Sequence, residues 1–478
     1  MSGFGPPPRT YVVPADRVAL TGAYDPDLDA LPLVRVAPPT IPVSDLPVAN
    51  RLRAEGTYGA NAGRTGRLDL SAPVASGQIV ADVDYDGIGS VDDLDDLAFD
   101  RFRVQAGIQS GGAVQFSLGG GALVDRYSLP EVRQLQNLST SPLRRLTRLT
   151  GRVGVERIGA SPFELGVRYT ADRLAPASDG ADVVLGTAQS AGMIEATGSA
   201  ALFRRIVLDA GAGAVGLDGG LSEDAQFAAG GAAIRLGSAA GAQVLVGARG
   251  LGYTVSAENG NGDAVAFSPI VDASLPLSPT LQVFVSNAPR LVVRGLGDVA
   301  ETNPFVVDRP VVAPDLLRID ARAGVEIDGG PLLLRSYAHV IEAPTWLIFE
   351  RDASDGRFVE GYESVRIQGV TGEATLITAS GVSFDAGLTL RDGEIDGNGG
   401  DIPFFAPVVL RGGVQVPFSR GRFSLTALHE TERPADRGNI TQAPSITQLS
   451  ADLTIDVTRL ISVVAQADRL AGGVEEWP

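Results

Sequence analysis

For roughly 400 residues this chain alternates apolar and polar side chains with period two, and few folds accept that pattern for so long. In Phe102-Arg103-Val104-Gln105-Ala106-Gly107-Ile108-Gln109 one face is Phe, Val, Ala and Ile, while the other is Arg, Gln, Gly and Gln. Phe163-Glu164-Leu165-Gly166-Val167-Arg168-Tyr169-Thr170 repeats the pattern, as do Val114 to Gly119, Val365 to Gly369 and Phe384 to Arg391. Successive side chains of a strand point to opposite faces, so each stretch predicts a ribbon with one greasy side and one polar side. Turn signals separate them: Ser110-Gly111-Gly112, Asp218-Gly219-Gly220, Asn259-Gly260-Asn261-Gly262, Asp328-Gly329-Gly330 and Asn398-Gly399-Gly400. Glycine and asparagine supply the positive backbone angles of tight hairpins. Strands of ~10 residues joined this way form an antiparallel, up-and-down meander, longer than one sandwich domain.

Two environments fit such ribbons. Stacked soluble sheets bury the apolar faces against each other; a wide membrane barrel turns them to lipid and keeps the polar faces around a wet lumen. Strand length and number favour the second, an all-β transmembrane barrel of roughly 16 strands. No run approaches the ~18 uncharged apolar residues of a membrane-crossing helix. Residues 1–47 hold 10 of the 30 prolines. Proline lacks an N–H and fixes φ, so residues 1–50 read as an extended arm and 51–478 as the barrel.

Composition narrows the chemistry. With no cysteine and two histidines, thiolate catalysis and Cys/His metal sites are excluded. The net charge is −18 and all 39 basic residues are arginine, so nucleic acid is not an expected partner. No Gly-x-Ser-x-Gly elbow, Walker loop or His-Glu-x-x-His motif is present, and no enzymatic activity is expected. His339 and His429 are the two candidates for general-base work, against the commoner reading of a lone polar residue on a lumen face or loop. Gly211-Ala212-Gly213-Ala214-Val215-Gly216 has dinucleotide-loop spacing, but a turn follows instead of the helix that would meet a phosphate.

Asp82-Val83-Asp84-Tyr85-Asp86-Gly87, with Asp93 at position 12, matches the spacing of a calcium loop. Asp82, Asp84, Asp86 and Asp93 are therefore a candidate calcium site, against the alternative of an acidic segment between strands. The arginines, among them Arg249, Arg294, Arg335, Arg366, Arg391 and Arg411, are expected on the polar face, paired with the surplus carboxylates.

Several short stretches resemble the barrel of TonB-dependent outer-membrane receptors: Asn303-Pro304-Phe305, Ala321 to Glu326, Gly361-Tyr362-Glu363 through Gly369, Pro403-Phe404-Phe405-Ala406-Pro407, and Leu453 to Val457. The arm leading to Leu46-Pro47 and Gly56-Thr57-Tyr58-Gly59 resembles plugless relatives from Bacteroidetes-type bacteria. The resemblance implies an outer-membrane location, lipid as the main partner, surface or periplasmic protein partners, and a role in solute passage, docking or scaffolding. Two departures stand against it. A 50-residue arm cannot hold the N-terminal plug of such receptors. The final Glu475-Glu476-Trp477-Pro478 replaces the expected aromatic-ended strand, so the barrel reads as one strand short, and Met1 to Thr10 is not an export leader. The alternative function is a secreted all-β binding protein with a calcium-stabilised loop.

Overall fold

The computed structural model describes residues 51–467, apart from short internal stretches of which the longest are 89–98, 130–140 and 178–187. The Pro-rich arm and the C-terminal residues from 468 lie outside the described residues. The described residues form 26 strands; five are only two or three residues long, leaving 21 in one antiparallel meander that runs from Arg51–Tyr58 to Ser462–Ala467. Each of these pairs with the next, as where Asp224–Gly237 meets Gln243–Ala257 without a register slip. The expected number of roughly 16 is thus too low. Ile206–Asp218 and Asp224–Gly237 are written largely in glycine and alanine, so their two faces barely differ in polarity and the alternation fades. Ladder hydrogen bonds continue through them regardless of side chain.

Connections at the two ends of the meander differ. At one end they are tight, from Val74 to Gly77, Ser110 to Val114, Ser278 to Leu281, Asp328 to Leu332 and Phe418 to Gly421. At the other most are longer, from Ile88 to Phe99, Ser128 to Leu143, Pro176 to Gln189 and Asn287 to Ile319, with Ala257 to Gly260 a short exception. The first and last strands of the sheet approach each other, and among the described residues no ladder joins them.

The faces are written in the strand Phe163–Pro176. Leu165, Val167 and Tyr169 point outward and are about half exposed, 56%, 46% and 51%. Outward apolar residues recur around the sheet, up to Val265 at 72% and Phe267 at 80%. Water disfavours so extended an apolar surface, and lipid does not. We expect Val167→Arg to destabilise the folded barrel in vesicles by about 2–4 kcal/mol, read from urea unfolding, the cost of a charge on a mid-membrane lipid face.

The inward face of the same strand changes character along its length. Glu164 and Arg168, near the tight-turn end, are exposed, whereas Thr170, Asp172 and Leu174 are buried. Buried carboxylates need partners. Something therefore fills the long-connection half of the lumen.

Candidate functional site

That filling comes from the wall itself. Strands Leu281–Asn287 and Ile319–Asp328 pair with each other from Leu281↔Ile327 to Asn287↔Ala321, and the described residues between them, 288–303, 305–306 and 312–318, turn inward. Asn287 fixes the departure point. Its side-chain amide donates to the Pro269 carbonyl, and its side-chain oxygen accepts the Asp320 N–H at 3.0 Å. The Ala288 N–H donates to the Asp320 carbonyl at 3.0 Å, closing the hairpin neck.

Inside, Arg290–Val292 pairs with Asp315–Leu317, and Leu316 in turn pairs with Thr345 of the wall strand Leu332–Arg351. Between these short strands a helix, Leu296–Thr302, lies against the wall strands Leu143–Arg157 and Phe163–Pro176. The segment then returns past Phe305 and Val306 to Phe358, where the Phe358 N–H donates to the Phe305 carbonyl at 2.9 Å. Distant parts of the sheet are thereby tied together through the lumen.

Polar anchors hold it. The guanidinium of Arg148 engages three carboxylates: Nε donates to Asp172 at 2.8 Å, and the terminal nitrogens lie 2.8 Å from Asp298 and 2.9 Å from Glu301. The other Asp172 oxygen accepts the Gly297 N–H at 2.8 Å, so a wall carboxylate satisfies a free donor at the helix N-terminus and complements its dipole. A second buried pair, Arg294 and Asp315, lies within the segment itself; the remaining Asp315 oxygen accepts the Leu347 N–H at 2.8 Å. Arg249 binds the Pro289 carbonyl at 2.7 Å and Asp209 at 2.6 Å, and Arg290 reaches Asp320 at 3.3 Å.

Burial pushes the Glu301 carboxyl above the ordinary carboxylate range, with Arg148 pulling it back, and does the same to Asp315 against Arg294. A raised folded-state value means these two groups stabilise the fold most when protonated. Their contribution declines as pH rises through the raised value. Acidification from about pH 7 to about pH 5 is therefore not expected to release the segment through them, which bilayer currents at the two pH values will check.

Gly297 is required by space. A Cβ there would lie 2.2 Å from an Arg148 nitrogen and 2.7 Å from Asp172. Gly297→Ala is expected to displace the Arg148 fork and cost about 1–3 kcal/mol, the range for overpacking, as faster hydrogen exchange across the helix.

Apolar packing completes the closure. Leu296 and Ala300 of the helix, with Val312 and Ala313, pack on the inward residues Leu146, Leu174, Met193 and Val215. Val299, Phe305 and Val306 meet Tyr127, Leu347, Phe349 and Phe358. Fully burying a side chain of this size is worth about 1.5–3 kcal/mol. Residues 402–407 fold inward too. Ile402 and Phe405 lie on Ile341, Ile367 and Ile395, and the Arg391 guanidinium stacks 4.2 Å from the Phe405 ring while donating to the Ala406 carbonyl.

No protein-family model matches this chain, and no curated protein matches it in sequence. Solved structures do match its fold. The FrpB iron transporter from Neisseria meningitidis aligns at TM-score 0.65 and 9% identity over 87% of this chain and 75% of that one. The ferric yersiniabactin uptake receptor FyuA from Yersinia pestis aligns at 0.64 and 13%, over 88% and 75%. The copper transporter OprC aligns at 0.66 and 13%, over 88% and 74%. This is the barrel fold of the TonB-dependent outer-membrane receptors.

Within this receptor-type barrel the residues singled out from sequence take definite places. Asp82, Asp84 and Asp86 do not form a turn. They alternate along the strand Gly77–Ile88, across from Gln105, Arg103 and Arg101, on the face opposite Val83 and Tyr85. Extended spacing separates the first from the third by ~13 Å, beyond the reach of one calcium shell with ligands at ~2.4 Å. Asp84 instead lies 3.6 Å from Arg67. Asp93 lies outside the described residues.

Gly211 to Gly216 is mid-strand, with no helix after it. His339 is buried beside Tyr337, their rings 6.3 Å apart, and His429 bonds Thr447 at 2.8 Å. Asn303 and Phe305, from one of the stretches that resemble a receptor barrel, belong to the inward segment. Arg249 pairs with Asp209 and Arg294 with Asp315, as expected, and Arg391 binds the Ala406 carbonyl and the Phe405 ring. Arg148 and Asp172 were missed, because nothing local distinguishes them from other lumen-facing charges.

Proposed function

We propose that this chain is an outer-membrane barrel for regulated solute passage, with a lumen occluded by the wall-borne segment 288–318. The observation that carries this reading is the joint one: an exposed apolar exterior, and an interior whose buried charges are matched by a segment of the barrel's own chain. An open porin would leave those carboxylates in water. A soluble secreted protein would not display Leu165, Val265 and Phe267 outward, which weighs against the calcium-stabilised alternative.

Ring closure between the first and last strands belongs to the same proposal. It supplies the paired edges that a membrane demands. Lipid is then the main partner, and the long connections on the other rim are where surface proteins or solutes would dock. Reconstitution into planar bilayers tests the reading. The full chain is expected to insert, run with heat-modifiable mobility and pass little current. A folded, detergent-free monomer, or a steady porin-like conductance, would overturn it.

A further inference from the structure

Three neighbouring strands each carry an outward arginine near the long-connection rim: Arg126 in Val114–Ser128, Arg145 in Leu143–Arg157 and Arg173 in Phe163–Pro176. Period two puts them on the face of Leu118, Leu149 and Val167, all of which are exposed. Arg126 and Arg173 are themselves exposed, and Arg145 is half-buried. Register sets their spacing. Arg126 lies directly opposite Arg145, which lies opposite Ala175, two positions from Arg173. Cβ atoms directly opposite are ~5 Å apart and diagonal ones ~7–8 Å, so one patch holds all three.

Like charges directly opposite each other destabilise a sheet, and a chain of net charge −18 has carboxylates to spare for separating them. None does so here. Asp125 and Asp172 are on the lumen face, held by Arg101 and Arg148. Asp100 stands across from Arg126 on its other side, where its carboxylate accepts the Tyr85 hydroxyl at 2.8 Å. None of the three arginines forms an ion pair or side-chain hydrogen bond with any described residue. The outward Arg366 has the opposite arrangement, standing in register between Glu342 and Glu394.

We infer that this patch binds the phosphate of an anionic lipid, at headgroup level in the leaflet on the long-connection side. A phosphate seated between Arg126 and Arg145 turns their repulsion into a bridge, and planar guanidinium forks suit its oxygens. The apolar wall decides between a lipid and free phosphate. From the arginines toward the tight turns, Leu149, Val153, Val167 and Tyr169 are exposed. Acyl chains would lie along that surface, and free phosphate would leave it unused. The inference rests on the membrane reading of the exterior, to which it adds a lipid class and a place, and it does not require a closed lumen.

The test is native mass spectrometry of the full chain in neutral detergent, titrated with dioleoyl phosphatidic acid, dioleoyl phosphatidylcholine or inorganic phosphate. Phosphatidic acid should bind about tenfold tighter than phosphatidylcholine, and equimolar inorganic phosphate should not displace it. Arg126→Gln and Arg145→Gln should each lower the phosphatidic acid affinity about fivefold, while Arg366→Gln leaves it unchanged. Urea unfolding in vesicles separates this role from packing. Arg126→Gln relieves a repulsion, so its midpoint should hold or rise in pure phosphatidylcholine. With phosphatidic acid added, the same variant should fall below the unaltered chain. Equal affinity for the two lipids, an equal loss in Arg366→Gln, or displacement by inorganic phosphate overturns the assignment. An occluded barrel without lipid preference rejects this site alone. A lipid-selecting barrel that conducts steadily rejects occlusion and leaves the site standing.

Discussion

Joining Asn287 to Ile319 through a short Gly-Asn turn, with 288–318 removed, is expected to convert a closed barrel into an open pore. The wall ladder from Leu281↔Ile327 to Asn287↔Ala321 is complete without the segment, so the hairpin keeps its register. Removal also takes away the lumen crossing and the cover over Leu146, Leu174, Met193 and Val215. Stability will fall as those side chains meet water, but the lipid-facing exterior and the strand pairings remain. Single-channel recordings should show discrete steps at least tenfold above the full chain's current, alongside retained heat-modifiable mobility. A folded deletion variant that conducts no better than the full chain would falsify the occlusion reading.

Arg148→Ala should loosen the same segment without removing it. The substitution leaves Asp172, Asp298 and Glu301 without the cation that bridges them, and breaking a buried pair in this way costs about 3–5 kcal/mol. The expected result is intermittent current and loss of hydrogen-exchange protection from 296 to 302, with the wall strands still protected. Arg148→Lys should behave almost as badly, because one ammonium cannot present the planar fork that meets three carboxylates. Asp172→Asn keeps an acceptor for the Gly297 N–H and should have the smaller effect. Unchanged exchange across the helix in Arg148→Ala would show that apolar packing alone holds the segment.

Much of the wall was legible because period two is a local signal. Phe102 to Gln109 and Phe163 to Thr170 declare their faces without help from neighbours, and both are strands with the apolar side outward. The strand count was not legible, since Ala- and Gly-rich ribbons are held by backbone ladders that leave no trace in polarity. The Asp82 to Asp86 run misleads for a related reason: alternating aspartates have the same spacing in a calcium loop and in a charged strand face. The lumen segment was harder still. Its helix is seven residues long, and its apolar positions are answered by strands more than a hundred residues away, as Leu296 is by Leu146. Arg148 with Asp172 is a tertiary pairing, and no spacing rule on one chain announces such a pair. The resemblance gave the architecture from short motifs, yet it did not reveal that Asn303 and Phe305 belong to a segment turned inside.

The narrow neck at Asn287 has a bearing on how the barrel is built. A plug carried at a chain end can be threaded in or out once the cylinder exists, whereas a loop tied at both roots to adjacent staves cannot. Wall strands from Ile319 onward are still to be laid down after this loop has been made. Tied at both roots to neighbouring strands, the loop can swing within the lumen but not depart.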